Sequence, residues 1–169
     1  MAIRKIVTFP HPVLRQKAEP VTAFDDNLKT LVQDMGETMF AAPGVGLAAN
    51  QVGIPLQVVV VEQCTPDKED FIALVNPVIS NGEGSVVDEE GCLSVLECQA
   101  KVKRFRKIHV TAQDIEGNVL EFDAEDRFAR ILQHEVDHLL GTLFIDRISS
   151  LKRALYKKKL KKILAQEEE

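Results

Sequence analysis

The chain has 169 residues and a net charge of −5, and it is 45% hydrophobic and 28% charged, with no Trp and one Tyr. This composition is typical of one globular domain, which we expect to span residues 1–169, and it excludes disordered and collagen-like chains. No segment reaches the roughly 20 apolar residues of a membrane span or resembles a signal peptide, so we expect a cytoplasmic protein without a membrane partner.

The first helix is predicted over residues 25–42, where apolar residues recur at spacings of three and four. These residues are Leu28, Leu31, Val32, Met35 and Met39. Asp25 or Asp26 can cap the helix at its start. Two glycines follow the helix, Gly44 and Gly46, and they predict a loop whose backbone can closely approach another group.

Five later segments have the short, β-branched or apolar pattern of strands. They are residues 57–61, 71–75, 100–103, 107–112 and 119–122. The polar segment 114–118 contains Gly117 and Asn118, which are typical turn residues. It therefore predicts that the last two strands form a hairpin.

Helical spacing of apolar residues returns over residues 125–140, and Gly141 follows as a stop signal. Strands followed by a helix that can pack behind them predict an α+β domain.

The C-terminal segment differs from the rest of the chain in charge. Residues 1–146 carry 13 Lys or Arg against 23 Asp or Glu, whereas residues 147–166 carry eight basic side chains and no acidic ones. Residues 148–169 are predicted to form a basic helix that ends in an acidic tail. Such a charge run is usually a solvated helix face.

The predicted helix over residues 125–140 contains an H-E-x-x-H motif from His134 to His138. Residues at positions i and i+4 lie on the same helix face, so both imidazoles can reach one metal ion. Glu135 would lie beside them and exchange a proton with a metal-bound water. The alternative is a solvated arrangement of His and Glu on an amphipathic helix, and the motif alone leaves both interpretations open.

A catalytic metal site normally needs a third protein ligand and one open position. The pattern with a third His six residues after the second one fails, because that position is Phe144. Downstream carboxylates are restricted to Asp146, a weak candidate, and the terminal residues 167–169.

An upstream candidate for the third ligand is Cys92, in the sequence Glu-Gly-Cys-Leu-Ser at residues 90–94. A thiolate is a strong ligand for Zn²⁺ or Fe²⁺. The alternative is that Cys92 is a small buried apolar residue, an interpretation that suits Cys64 and Cys98 better because neither has flanking glycines.

Three motifs together resemble the peptide deformylase family. Residues 44–51 resemble its G-x-G-L-A-A-x-Q motif, residues 90–94 resemble E-G-C-L-S, and residues 133–138 resemble Q-H-E-x-D-H, in the same order and spacing. The likeness extends over about residues 3–150. The chain departs from the pattern at Leu96, near a position where many members have Pro, and at His11, where Asp is common.

The resemblance implies an α+β fold in which antiparallel or mixed β-sheets pack around the H-E-x-x-H helix, with one N-terminal and one C-terminal helix. The implied reaction removes the formyl group from N-formylmethionyl nascent polypeptides and releases formate. The implied ligands of one divalent ion are Cys92, His134 and His138. Fe²⁺ is the expected ion, and Zn²⁺, Ni²⁺ or Co²⁺ can substitute for it.

The resemblance also implies roles for other residues. Glu135 would act as general base and acid, and the Gln51 amide and the Leu93 backbone N–H would stabilise the oxyanion. Implied substrate contacts are Gly44, Val45, Gly46, Leu93 and Ile131. Ordinary core packing is nearly as good an interpretation for Val45 and Ile131, and a surface amide is the alternative for Gln51 outside its motif.

The basic C-terminal helix is expected, by the same resemblance, to contact the ribosome through RNA phosphates. Two other functions remain as alternatives: an H-E-x-x-H endopeptidase, which lacks its downstream ligand here, and a binding module or ribosome-associated factor that has lost catalysis.

Overall fold

A computed structural model describes residues 2–63 and 65–167. The described chain contains, in order, α1 (Asp26–Ala41), β1 (Gly46–Ala48), β2 (Val58–Glu62), β3 (Phe71–Glu83), β4 (Val86–Cys92), β5 (Val95–Arg104), β6 (Lys107–Gln113), β7 (Val119–Glu125), α2 (Asp126–Leu139) and α3 (Ser150–Glu167). Short 3₁₀ helices occur at Pro12–Arg15, Ala49–Val52 and Phe144–Arg147.

Two antiparallel sheets form the β-structure. Five strands pair in the order β1-β2-β3-β6-β7, and β4 pairs with β5 in a separate hairpin. The three-residue strand β1 is therefore an edge strand of the larger sheet, and one side of its backbone is not paired within that sheet.

The larger sheet is covered on both faces, which explains the continuous apolar run of β2. Successive side chains of a strand point to opposite faces. Val58 and Val60 pack in one core cluster with α1, whereas Val59 and Val61 pack in another with α2. All four valines are fully buried. This arrangement encloses α2, the helix that carries the H-E-x-x-H motif, within the domain.

The C-terminal helix α3 packs on a third core cluster, which includes β5 and the segment after α2. Its buried side chains are Tyr156 and Leu160, while Leu151 and Leu155 are 69% and 59% exposed. The Tyr156 hydroxyl also donates a hydrogen bond to the Leu96 carbonyl at 2.8 Å, which fastens the helix to the start of β5.

The fold confirms the predicted α+β class with an N-terminal, a central and a C-terminal helix. Asp25 caps α1 by accepting a hydrogen bond from the Leu28 backbone N–H, and Gly141 follows α2 with a φ of 76°. The turn after β6 forms the expected hairpin. No described helix combines the length and apolar character that a bilayer span needs.

Two strands were not predicted, and β3 and β5 are longer than the predicted segments 71–75 and 100–103. The predicted loop around Gly46 contains β1, and Cys92 ends β4, a strand that was not predicted. Glycine and acidic residues are unfavourable in strands, so these segments have no strand pattern of their own. Backbone pairing with β2 and with β5 makes them extended.

The pairing of β6 with β7 predicts a pH-dependent stability. His109 Nδ1 lies 2.7 Å from Asp123 Oδ1, and its Nε2 lies 2.8 Å from Glu121 Oε1. Both ring nitrogens donate only in the imidazolium form. Hydrogen bonds with Asp123 and Glu121 raise the pKa of His109 above 6.5. The stabilisation is therefore complete below the unfolded-state pKa and is lost as pH rises through the folded-state pKa.

His109→Gln is expected to lower the melting temperature at about pH 5.5 and to leave it unchanged at about pH 9. Thermal unfolding followed by circular dichroism at low salt measures both values. An equal loss at the two pH values would show that packing, not charge, is the contribution of His109.

Candidate metal centre

Cys92, His134 and His138 converge in the structure. Cys92 is the last residue of β4, and the two histidines lie one turn apart on α2. One ligand atom from each lies within 4.8 Å of the others, and the Cys92 Sγ is 3.4 Å from His138 Nε2. Within residues 2–63 and 65–167, no other group of His, Cys, Asp and Glu meets this criterion for holding a metal ion.

The donor set fits one divalent metal ion. A tetrahedral ion binds thiolate sulfur at about 2.3 Å and imidazole nitrogen at about 2.0 Å, which places the donors of one site about 3–4 Å apart. One thiolate and two imidazoles suit Zn²⁺ or Fe²⁺, and three protein ligands leave a position open for a reactant.

Glu90 orients His134. Its Oε1 lies 2.9 Å from His134 Nδ1, so the other ring nitrogen is left for a metal. The Arg104 guanidinium donates to both Glu90 oxygens, at 3.0 and 2.9 Å, and both side chains are buried. Burial alone would raise the pKa of Glu90, but hydrogen bonds from His134 and Arg104 lower it to about 2.

Further ionic contacts join Arg104 and Arg147 to Asp137, which lies on the same helix as the two histidines. Arg104 also donates to Asp137 at 2.6 Å, and Arg147 donates to both oxygens of Asp137, at 2.6 and 2.8 Å. Asp137 lies between the two ligand histidines in sequence, so these contacts hold the ligand-bearing turn of α2. Buried charges need such pairing, because an unpaired one would be strongly destabilising.

Neither Glu90 nor Arg104 was predicted from the sequence to have a role. Glu90 belongs to a recognised motif and could have been nominated as the partner of a ligand histidine. No sequence pattern indicated a role for Arg104, because its contacts with Glu90 and Asp137 depend on how the β4–β5 hairpin packs on α2.

The pKa values of the two histidines are shifted in opposite directions. Burial opposes protonation of His134, but Glu135, Cys92 and Glu90 outweigh it and raise the pKa of His134. Burial lowers the pKa of His138, and the neighbouring positive groups lower it further. His138 is therefore neutral, the form that binds metals.

Glu135 lies beside the ligands in a buried position, with 4% of its surface exposed. A Cβ atom at Gly46 would lie 2.5 Å from Glu135 Oε2, so only glycine allows β1 to approach this close. The other carboxylate oxygen is buried without a hydrogen-bond partner in the described part of the chain. Burial raises the pKa of Glu135 to about 7, which suits a group that takes up and releases protons near neutral pH.

Gln51, in the 3₁₀ helix Ala49–Val52, is buried with its amide facing the metal ligands. Its Oε1 accepts a hydrogen bond from the Ala48 backbone N–H at 3.0 Å. Its Nε2 donates to Ser94 Oγ at 3.1 Å and lies 3.6 Å from Cys92 Sγ. This burial excludes the interpretation of Gln51 as a surface amide.

A cleft of about 640 Å³ opens onto Cys92, His134 and Glu135. All the residues expected to contact the substrate line it: Gly44, Val45, Gly46, Leu93 and Ile131. Val45 is 42% exposed, whereas Ile131 is 5% exposed and also packs in the core beside α2. The structure adds Pro43, Arg130 and Gln99 to the cleft wall.

Other candidates lie outside the site. Asp146 accepts hydrogen bonds from Arg15 and from the Leu143 backbone N–H, so its carboxylate belongs to a structural turn. His11 accepts a hydrogen bond from the Val13 backbone N–H. Cys98 is half-buried in the cleft wall, and Cys64 lies outside the described residues.

Comparisons with known proteins agree with this geometry. The polypeptide deformylase family model matches residues 3–154. A peptide deformylase of Desulfotalea psychrophila is 55% identical over 164 residues, which cover 96% of this chain and 97% of that protein.

Solved structures show the same likeness. The peptide deformylase of Legionella pneumophila superposes with a TM-score of 0.89 at 44% identity, covering 98% of this chain and 97% of that one. The Met-Ala-Ser-bound class I type b enzyme of Acinetobacter baumannii gives a TM-score of 0.81 at 34% identity, covering 86% and 98%. With two histidines of the H-E-x-x-H helix and Cys92 of β4 brought together, the chain belongs to the peptide deformylase family and is a peptide deformylase.

Proposed function

We propose that this deformylase removes the formyl group from N-formylmethionyl nascent chains in the cytoplasm, with Cys92, His134 and His138 as the ligands of one Fe²⁺ ion. The observation that carries the proposal is the convergence of these three donors beside the buried Glu135 at the base of the cleft. Deformylase substrates are formylated peptides.

The substrate would bind as an added strand. Gly46 of the edge strand β1 and residues of the β4–β5 hairpin line the cleft. An extended peptide can pair with such an exposed edge through its backbone. Gly44 and Gly46 would let that backbone approach, and Val45, Leu93 and Ile131 would surround the methionine side chain. Binding of Met-Ala-Ser by the Acinetobacter baumannii relative supports a peptide with N-terminal methionine.

Proton transfer is assigned to Glu135. The metal ion, when bound, supplies Lewis-acid activation of water near neutral pH. Glu135 would accept the proton from the attacking water and deliver it to the amine that leaves. Its buried carboxyl and its pKa of about 7 allow both steps at the same pH.

Stabilisation of the oxyanion is assigned to two N–H donors. The Gln51 amide is held in place by the Ala48 backbone and by Ser94, and Leu93 adjoins the ligand Cys92 in the cleft wall. Donors fixed before the reaction need no reorganisation as charge develops on the formyl oxygen. A single donor of this kind contributes about 3 kcal/mol to lowering the barrier.

Residues 1–169 are proposed to form one catalytic domain, in which the basic helix α3 contacts ribosomal RNA. The packing of Tyr156 and Leu160 against the third core cluster supports one domain. Four lysines of α3, Lys157, Lys158, Lys161 and Lys162, are exposed and free to approach phosphates.

The ligand assignment predicts different metal contents for two cysteine variants. Protein purified without air is expected to contain about one Fe²⁺ per chain and to release formate from a formyl-methionyl peptide. Cys92→Ala removes one of three ligands, so it is expected to lose both metal and activity. Cys98→Ala, in the same cleft wall, is the matched control and should retain both. Mass spectrometry of bound metals and a formate assay measure the outcome, and equal metal content in the two variants would reject Cys92 as a ligand.

The role of Glu135 predicts separation of metal binding from turnover. Glu135→Gln keeps the shape of the side chain, so the variant should retain its metal but lose at least about 100-fold in kcat, the usual scale for an acid/base group. Glu116→Gln, an exposed substitution in the β6–β7 turn, is the control. Unchanged kcat in Glu135→Gln would remove Glu135 from the proton-transfer mechanism.

The RNA contact predicts a charge-dependent affinity for ribosomes. Replacement of Lys157, Lys158, Lys161 and Lys162 by Gln should weaken binding and reduce its salt dependence, since each lost phosphate contact lowers the slope of log K against log salt by roughly 0.7–0.9. Four lysines elsewhere, Lys5, Lys17, Lys29 and Lys101, provide the control when changed in the same way. Co-sedimentation at several salt concentrations measures both slopes, and equal slopes would reject the contact.

A further inference from the structure

Asn50 connects the proposed oxyanion loop to the ligand-bearing helix. It is fully buried and immediately precedes Gln51 in the 3₁₀ helix Ala49–Val52. Its Nδ2 donates one hydrogen bond to the His138 backbone carbonyl and another to the Gln16 carbonyl, both at 3.0 Å. Two consecutive residues of this 3₁₀ helix therefore lie against the candidate metal centre: Asn50 bonds to the His138 carbonyl, and the Gln51 amide lies near the Cys92 sulfur.

The bond to His138 occurs where α2 ends. The last carbonyls of a helix have no partner within it and must be satisfied by other groups. The His138 carbonyl accepts a hydrogen bond from the Gly141 backbone N–H at 3.1 Å, and Asn50 provides a second donor from another part of the chain. The last turn of α2, which contains the ligand His138, is thereby linked to the segment that holds Gln51.

The chemistry at this position requires a primary amide. Two backbone carbonyls face one side-chain atom, and an NH₂ group has the two hydrogens needed to bond both. The reversed amide would bring Oδ1 against two acceptors, so its orientation is determined. A backbone hydrogen bond also joins the N-terminal segment to the end of α2: the Ala18 N–H donates to the Leu139 carbonyl at 2.7 Å.

We infer that Asn50 is a positioning residue, whose amide bonds to the His138 and Gln16 carbonyls set the separation between the Gln51 amide and the ligand His138. The inference rests on the proposed roles of His138 and Gln51. Asn50 does not touch the substrate or the reacting atoms. It acts by fixing the Gln51 amide, proposed to face the formyl oxygen, relative to His138, proposed to hold the metal ion, and a shift of about 1 Å between such groups can reduce the rate about 100-fold.

The test compares Asn50→Asp with Asn76→Asp. Asn76 is the matched control, since its Nδ2 donates to the Val21 carbonyl at 3.0 Å and to Gln113 at 2.8 Å, away from the cleft. Both substitutions keep the side-chain shape and remove the two donors. Asn50→Asp is expected to lower kcat about 10- to 100-fold with KM within about 3-fold, and to change the visible absorption bands of the Co²⁺-loaded enzyme. Asn76→Asp should lower only the melting temperature.

Both variants could instead have a lower melting temperature but the kcat and the Co²⁺ spectrum of the wild type. This result would show that Asn50 contributes only to stability, and it would overturn the inference. Asn50→Ala removes the donors without adding a charge, and the same readouts apply to it if Asn50→Asp does not fold.

A measurement on the wild type is independent of variant folding. Loading with Zn²⁺ should slow hydrogen exchange of the Asn50 side-chain amide, observed by NMR, more than that of Asn76. An equal response of the two amides would also overturn the inference. Formate release by the wild type and metal loss from Cys92→Ala test the proposed function separately, so failure for Asn50 with those results intact rejects only the positioning role.

Discussion

The structure depends on the ionic contacts that Arg104 makes between the β4–β5 hairpin and α2. Arg104 donates to Glu90 on β4 and to Asp137 on α2, and almost none of its side chain is exposed. Loss of one partner of such a buried set costs about 3–5 kcal/mol, because the remaining charges are left without compensation. The contacts also reach the candidate metal centre, since Glu90 bonds to His134 and the hairpin brings Cys92 to the helix.

The burial of the rest of the site results from packing α2, a helix with polar side chains, inside an apolar domain. The two-sided burial of β2 places α1 on one face of the sheet and α2 on the other. Glu135 is therefore buried, and burial raises its pKa to about 7. Gly46 is required at the facing position because any side chain there would collide with the carboxylate. The same edge strand packs on Glu135 and lines the cleft through Gly46.

Much of the fold was predictable because the signals are local. The apolar stripe and the capping Asp25 define α1, the Gly-containing turn defines the β6–β7 hairpin, and Gly141 marks the end of α2. The strands β1 and β4 were missed because Gly46 and the acidic residues before Cys92 disfavour strands locally. Their extended conformation comes from pairing with segments elsewhere in the chain, which a local pattern does not contain.

The sequence by itself determined the pair of imidazoles one helical turn apart, the adjacent Glu135 and the family to which the three motifs point. These features depend on helix periodicity and on short segments of chain. From the residues alone, the third ligand stayed open between Cys92 and Asp146. The tertiary structure brought Cys92 to the histidines and engaged Asp146 with Arg15. It alone also revealed the contacts of Glu90, Arg104 and Asn50, because these join residues that are distant in sequence and meet only when the hairpin, the 3₁₀ helix and α2 pack together.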